Sequence, residues 1–115
     1  MCSSDLCWRP RLRARSRATG AQIRAAEQAL DAAVTRAYLE VLRRREGEAL
    51  ARQQLERARF NLRLAQGQQE VGAGTPLDVR QAEVQVGRAE VTLLQASNAV
   101  DTARLRLLQI GRAHV

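Results

Sequence analysis

"VGAGTPLDV", residues 71–79, decides the fold of this 115-residue chain. Two glycines and a proline fall within a few positions there, whereas the long stretches on either side are rich in Ala, Leu, Arg, Gln and Glu, which favour helix. A helix, one hard reversal and a second helix follow from that contrast. Gly72 can take the left-handed conformation that closes the first helix, and Gly74 frees the chain to reverse. Thr75 suits the N-cap of the second helix, and Pro76 stands at its first position, where a missing N–H costs nothing. Asp78, three residues beyond the cap, can bond back to the backbone in a shortened capping box and face the positive end of the helix dipole. The expected architecture is all-α: a long antiparallel, coiled-coil-like hairpin over residues 21–108, with helices at 21–71 and 76 to about 108 and a tip at 72–75.

Outward from the turn, the apolar spacing supports the same reading. Ala82, Val86, Ala89, Leu93, Ala96, Val100, Ala103 and Leu107 keep an unbroken alternation of four and three, the a and d positions of heptads. Before the turn the alternation picks out Leu30, Val34, Ala37, Val41, Ala51, Leu55, Ala58 and Leu62, with Arg44 and Glu48 in the two places it misses. Those two lie one turn apart and are expected to pair with each other. The second helix carries another stripe every seven residues at Leu77, Val84, Val91, Asn98 and Leu105, and the first a weaker counterpart at Leu50, Phe60 and Leu64. One apolar face serves a hairpin, whereas two imply neighbours on both sides. At 1.5 Å per residue the helices run roughly 75 and 50 Å, so the pattern predicts a wall of long helices. An ordinary hairpin with incidental surface apolar residues is the simpler alternative. The isolated chain is expected to be marginally stable or to self-associate, because stripes that belong between neighbours would face water.

Composition narrows the function. Aromatic content is 3% and Ala dominates the apolar set, which suits closely packed helices and argues against a deep globular core. The net charge is +7 and all 19 basic residues are Arg, a balance that first points to nucleic acid or an anionic surface. Five of them (Arg9, Arg11, Arg13, Arg15 and Arg17) crowd the start, and residues 21–109 hold 13 Arg against 11 acids. Such interspersed charge is a solvated face, so no nucleic-acid partner is expected. No apolar run is long enough to span a bilayer as a helix, and the N-terminus lacks a signal-peptide pattern. Cys2 and Cys7 have no matching Cys or His pair, so neither a zinc site nor a disulfide framework follows. No metal or cofactor is expected. There is also no Ser-His-Asp or Cys-His set, and two long helices supply no pocket, so the chain is not expected to be an enzyme.

The two ends share an origin. "IGRAHV" can be written ATC GGA AGA GCA CAC GTC, whose reverse complement, read from its GTG, encodes Met-Cys-Ser-Ser-Asp, the residues at 1–5. With Gln109 written CAG the match extends to Leu6. Residues 1–6 and 109–115 therefore read as one translated sequencing-library adapter in opposite orientations and are set aside from functional reasoning, His114 with them. On this reading the chain is a fragment of something larger. Residues 7–20, "CWRPRLRARSRATG", form a basic lead-in that matches neither helix nor strand well.

From Ala33 to Leu108 the sequence resembles one helical repeat of the TolC-type outer-membrane efflux proteins. Three features carry the likeness: Ala-Tyr-Leu-x-Val-Leu at 37–42, the tip pattern VGxGTxxDVxxAE at 71–83, and the regular Ala spacing beyond it. The resemblance implies a homotrimeric conduit of Gram-negative bacteria. In that family each chain contributes two related repeats, a β-barrel sits in the outer membrane and long helices form a periplasmic tunnel. It further implies that the tip contacts a periplasmic adaptor, itself joined to an inner-membrane pump. The tip turn Val71, Gly72, Gly74, Thr75, Pro76 and Asp78 would supply that contact. Asp78 resembles an acid near the closed aperture, and at Gln81 some members carry a second, so an acidic ring here would be thinner. The β-barrel segments are absent from this sequence. The competing readings are the α-helical hairpin of a periplasmic adaptor, which would be flanked by lipoyl-like β segments, and a generic antiparallel coiled coil.

Overall fold

The structure, a computed structural model, describes residues 4–113. Met1–Ser3, with Cys2, and His114 and Val115 lie outside the described residues, so expectations placed on them stand apart from the structure. Two helices make up the described chain, α1 (Ser4–Glu70, 67 residues) and α2 (Pro76–Ala113, 38 residues). The chain divides into two units, Met1–Arg36 and Ala37–Val115.

The first unit is helical from Ser4 onward, which corrects the expectation of an irregular lead-in at 7–20. Arg, Ala and Leu are intrinsically good helix formers, and elongating an existing helix avoids the cost of nucleating one. The local repulsion of Arg11 with Arg15 and Arg13 with Arg17, a few tenths of a kcal/mol per pair, is too small to break it. Residues 11–36 are exposed apart from partial cover of Gly20, Leu30 and Ala33, and Val34 is 40% exposed. Leu30 and Val34, read as the start of the seam, thus belong to a unit that buries neither.

In the second unit the predicted seam is the core. Val41, Ala51 and Leu55 on α1 and Val100 and Ala103 on α2 are the buried side chains among the described residues. The other six seam positions of α2, from Ala82 to Leu107, are each partly covered, as are Ala37, Ala58 and Leu62 on α1. No buried side chain is larger than Leu, which lets the two backbones run close. Among the described residues one ion pair crosses the seam, Arg59 Nη2 to Glu90 Oε1 at 3.6 Å.

Arg44 and Glu48 do not pair with each other. Arg44 binds Glu40 at 2.7 Å and Arg52 binds Glu48 at 2.9 Å, both as i,i+4 pairs. In each of these the acid lies N-terminal to the base, the orientation that the helix dipole favours, whereas an Arg44–Glu48 pair would run the other way. The intrusion into the seam is softened as expected, by different partners. Arg44 swings out and its side chain stays 53% exposed, while that of Glu48 is drawn in to 20%.

The second stripe of α2 lies two residues past a seam position, about 200° around the helix at 100° per residue, and so on the opposite face. Leu77, Val84, Val91 and Leu105 are each more than half exposed. Leu94 and Leu108, three residues beyond Val91 and Leu105, widen the same strip. On α1 Leu50, Phe60 and Leu64 are likewise exposed. A hairpin seam thus covers one face of each helix and leaves a second apolar face on α2.

Candidate functional site

The tip is the most highly specified stretch of the chain. α1 closes in a Schellman motif: the Gly72 N–H donates to the Gln69 carbonyl at 3.1 Å and the Ala73 N–H to the Gln68 carbonyl at 2.8 Å. The Gly74 N–H shares that Gln68 carbonyl at 3.0 Å. Gly72 has φ +75°, the left-handed conformation that L-residues resist, as expected from the sequence. Gly74 has a different reason. Its φ is not positive, but a Cβ there would lie 3.1 Å from the Gln68 Cβ and 3.2 Å from the Gln69 nitrogen. The second glycine is favoured by its close approach to the end of α1, where a Cβ would be tightly crowded, and not by a positive φ. Val71, read as the last helical residue, lies in the turn and is 78% exposed.

α2 opens with a reciprocal cap. The Asp78 N–H donates to the Thr75 Oγ1 at 3.2 Å and to the Thr75 carbonyl at 3.1 Å. In return the Thr75 N–H and hydroxyl both donate to the Asp78 Oδ2, at 2.9 and 2.7 Å. The shortened capping box therefore forms, and Pro76 begins α2 where no N–H is needed. The Thr75 hydroxyl first, then its N–H, hold the Asp78 carboxyl below its ordinary value of 3.8. Asp78 is thus an exposed anion whose carboxylate fastens the turn.

Of the residues singled out in sequence, Gly72, Gly74, Thr75, Pro76 and Asp78 come together as one hydrogen-bonded turn, with Val71 exposed beside it. Gln81 stands one turn along α2 from Asp78, also exposed. Leu77 joins Val71 as a large exposed apolar side chain at this end of the hairpin. The sequence reading missed Leu94 and Leu108 as members of the outer strip. Their signal was the i,i+3 step from Val91 and Leu105, which a strict count of sevens skips.

Among the described residues no grouping of three or more His, Cys, Asp or Glu could hold a metal, and no helix is long and apolar enough to cross a membrane. What the arrangement offers is contact: an apolar strip down α2 and a rigid tip bearing an anion. Fold and site together define a structural class, an all-α two-helix hairpin with a capped tip. The family model for outer membrane efflux protein matches residues 11–111, nearly the whole chain, and the chain belongs to that family. It is a component of an outer-membrane efflux channel, and the match takes in most of the basic lead-in. No curated protein and no solved structure matches the chain.

Proposed function

We propose that the hairpin is one stave of the periplasmic tunnel of a trimeric efflux conduit in a Gram-negative bacterium, with its tip at the tunnel mouth. The exposed strip of α2 carries this reading. Leu77, Val84, Val91, Leu94, Leu105 and Leu108 recur along the outer side of α2, interspersed with Arg80, Gln81 and Arg88, and a row of exposed large apolar side chains on one helix supports an interaction surface there. A stave in a closed wall touches a helix on each side, which the strip provides for. The tip turn, with Val71 and Leu77 exposed around Gly72–Asp78, contacts a periplasmic adaptor that couples the conduit to an inner-membrane pump. Asp78 contributes the negative charge at the mouth, and Gln81 leaves the acidic ring thinner. The outer membrane is reached through β-barrel strands belonging to the parent protein.

Extending the reading frame in the source DNA tests the conduit directly. A second VGxGTxxD-like repeat with flanking amphipathic strands is the expected result, and lipoyl-like halves on either side would overturn the reading in favour of an adaptor hairpin. In purified trimers of the full-length protein, Gly72→Val should weaken adaptor binding, while Asp78→Ala should chiefly alter single-channel conductance. Parent-like behaviour of both variants in both assays would reduce the turn to a connector.

A further inference from the structure

The first unit, Met1–Arg36, carries a basic segment that the hairpin does not use. Residues 11–26 hold Arg11, Arg13, Arg15, Arg17 and Arg24 and no acid, and none of the five guanidiniums forms an ion pair among the described residues. All five are exposed. At 100° per residue Leu12, Thr19, Ile23, Ala26 and Leu30 fall within about 40° of one line along this helix. Arg15 and Arg11 flank that line on one side, at about 60° and 100° from it, and Arg13, Arg24 and Arg17 on the other, at about 100° to 140°. Leu12 and Ile23 are 57% and 55% exposed, and the Thr19 hydroxyl donates to the Arg15 carbonyl at 2.9 Å, which satisfies it within the helix. The line is not the seam carried backwards. From Leu30 the alternation of three and four falls on Glu27, Ile23, Gly20, Ser16 and Arg13, of which Ile23 alone is a large apolar residue, so packing of the heptad kind stops there.

We propose that this segment lies along an anionic bilayer surface, with its apolar line against the acyl chains and its two arginine rows on the phosphate headgroups to either side. A narrow apolar line between basic rows suits a helix that rests in the plane of the interface. Guanidinium forks match phosphate oxygens, and the long arginine stems reach from the flanks of the line up to the headgroups. Charge complementarity and the exposed line together select the lipid surface. A soluble polyanion such as nucleic acid would use the same arginines but would leave Leu12 and Ile23 in water, and a further helix would meet the broken heptads. The segment lies on the bilayer and does not cross it, because no helix among the described residues is long and apolar enough. The proposal concerns the first unit alone and goes beyond the stave reading, on which it does not depend.

The test is co-sedimentation of the full chain, kept dilute, with excess vesicles of phosphatidylcholine alone or of an equal mixture of phosphatidylcholine and phosphatidylglycerol. The chain should bind the anionic vesicles far more tightly, and less so as salt screens the headgroups. Arg13→Gln, Arg17→Gln and Arg24→Gln together should weaken that binding about a hundredfold, at roughly fivefold per arginine. The same exchange at Arg43, Arg57 and Arg63 of the second unit, which also form no ion pair among the described residues, removes equal charge and should change binding by less than about threefold. Leu12→Gln with Ile23→Gln should weaken vesicle binding about tenfold or more and leave any binding to duplex DNA as it was. Glutamine is a good helix former, and circular dichroism checks that each variant keeps the parental helix content. Equal binding to the two kinds of vesicle, or equal loss from the two arginine sets, overturns the proposal. Parental vesicle binding by the Leu12 and Ile23 variant also overturns it, by reducing the segment to a site for any polyanion. The stave reading is tested separately, by the second repeat in the source DNA.

Discussion

Seven glycines occupy this chain, and the structure predicts that replacing them with alanine will change stability in opposite directions according to position. Gly47 and Gly87 lie inside α1 and α2, and an added Cβ at either meets nothing within 4 Å. Alanine there should stabilise the hairpin by roughly 0.5–1 kcal/mol, the helix-propensity gain of Ala over Gly. A Cβ at Gly72 also meets nothing within 4 Å, so its effect is purely conformational. At φ +75° an L-residue bears about 1–2 kcal/mol of strain, and Gly72→Ala should destabilise by that amount. Gly74→Ala should destabilise on the order of 1 kcal/mol for a steric reason, since its Cβ would press on Gln68 and on the Gln69 backbone nitrogen, which the Schellman bonds hold in place. Urea and thermal unfolding followed at 222 nm, at one fixed protein concentration, would resolve these effects, because 1 kcal/mol shifts the midpoint of a domain this size by about 4–8 °C. If Gly72→Ala stabilises as Gly47→Ala does, the left-handed closure of α1 is wrong and with it the account of the tip.

Thr75→Ala removes the hydroxyl that links both halves of the capping box and should cost about 1 kcal/mol in urea unfolding, while Thr75→Ser should stay near the parent. The Asp78 carboxyl is held below 3.8 in the folded state, so its contribution is fully present above that unfolded value and disappears as pH falls through the lower folded pKa. An NMR titration should therefore place its midpoint below 3.8, and Asp78→Asn should make stability less dependent on pH on the acid side. Glu48→Leu exchanges an intruding acid in the seam, paired only with Arg52 on the surface, for apolar burial, and should raise the thermal midpoint by an amount equivalent to about 1 kcal/mol. Val100→Ala, at a position 2% exposed, should cost about 1.5 kcal/mol or more for two lost methyl groups, whereas Val84→Ala on the outer strip should stay within about 0.5 kcal/mol in the dissociated chain, and comparing the two by urea unfolding separates seam from strip.

The hairpin, its seam on α2 and the chemistry of its turn were legible in the sequence because each is a local matter. Heptad spacing places Ala82 to Leu107 on one face whatever lies opposite, and a Thr three residues before an Asp can close a capping box without any distant partner. Gly72 could be read in the same way, since the need for positive φ belongs to one residue. Four things required the tertiary structure. Gly74 is dictated by a backbone on the far side of the turn, which no single-residue preference encodes. Arg44 could turn to Glu40 or Glu48, and Glu48 to Arg44, Arg45 or Arg52, and the folded helix pairs Arg44 with Glu40 and Glu48 with Arg52. The helical state of the lead-in depends on the helix that follows it, because elongation is cheap once a nucleus exists. The ion pair across the seam arises only when two antiparallel helices set Arg59 beside Glu90, residues about thirty positions apart that a one-dimensional pattern cannot bring together.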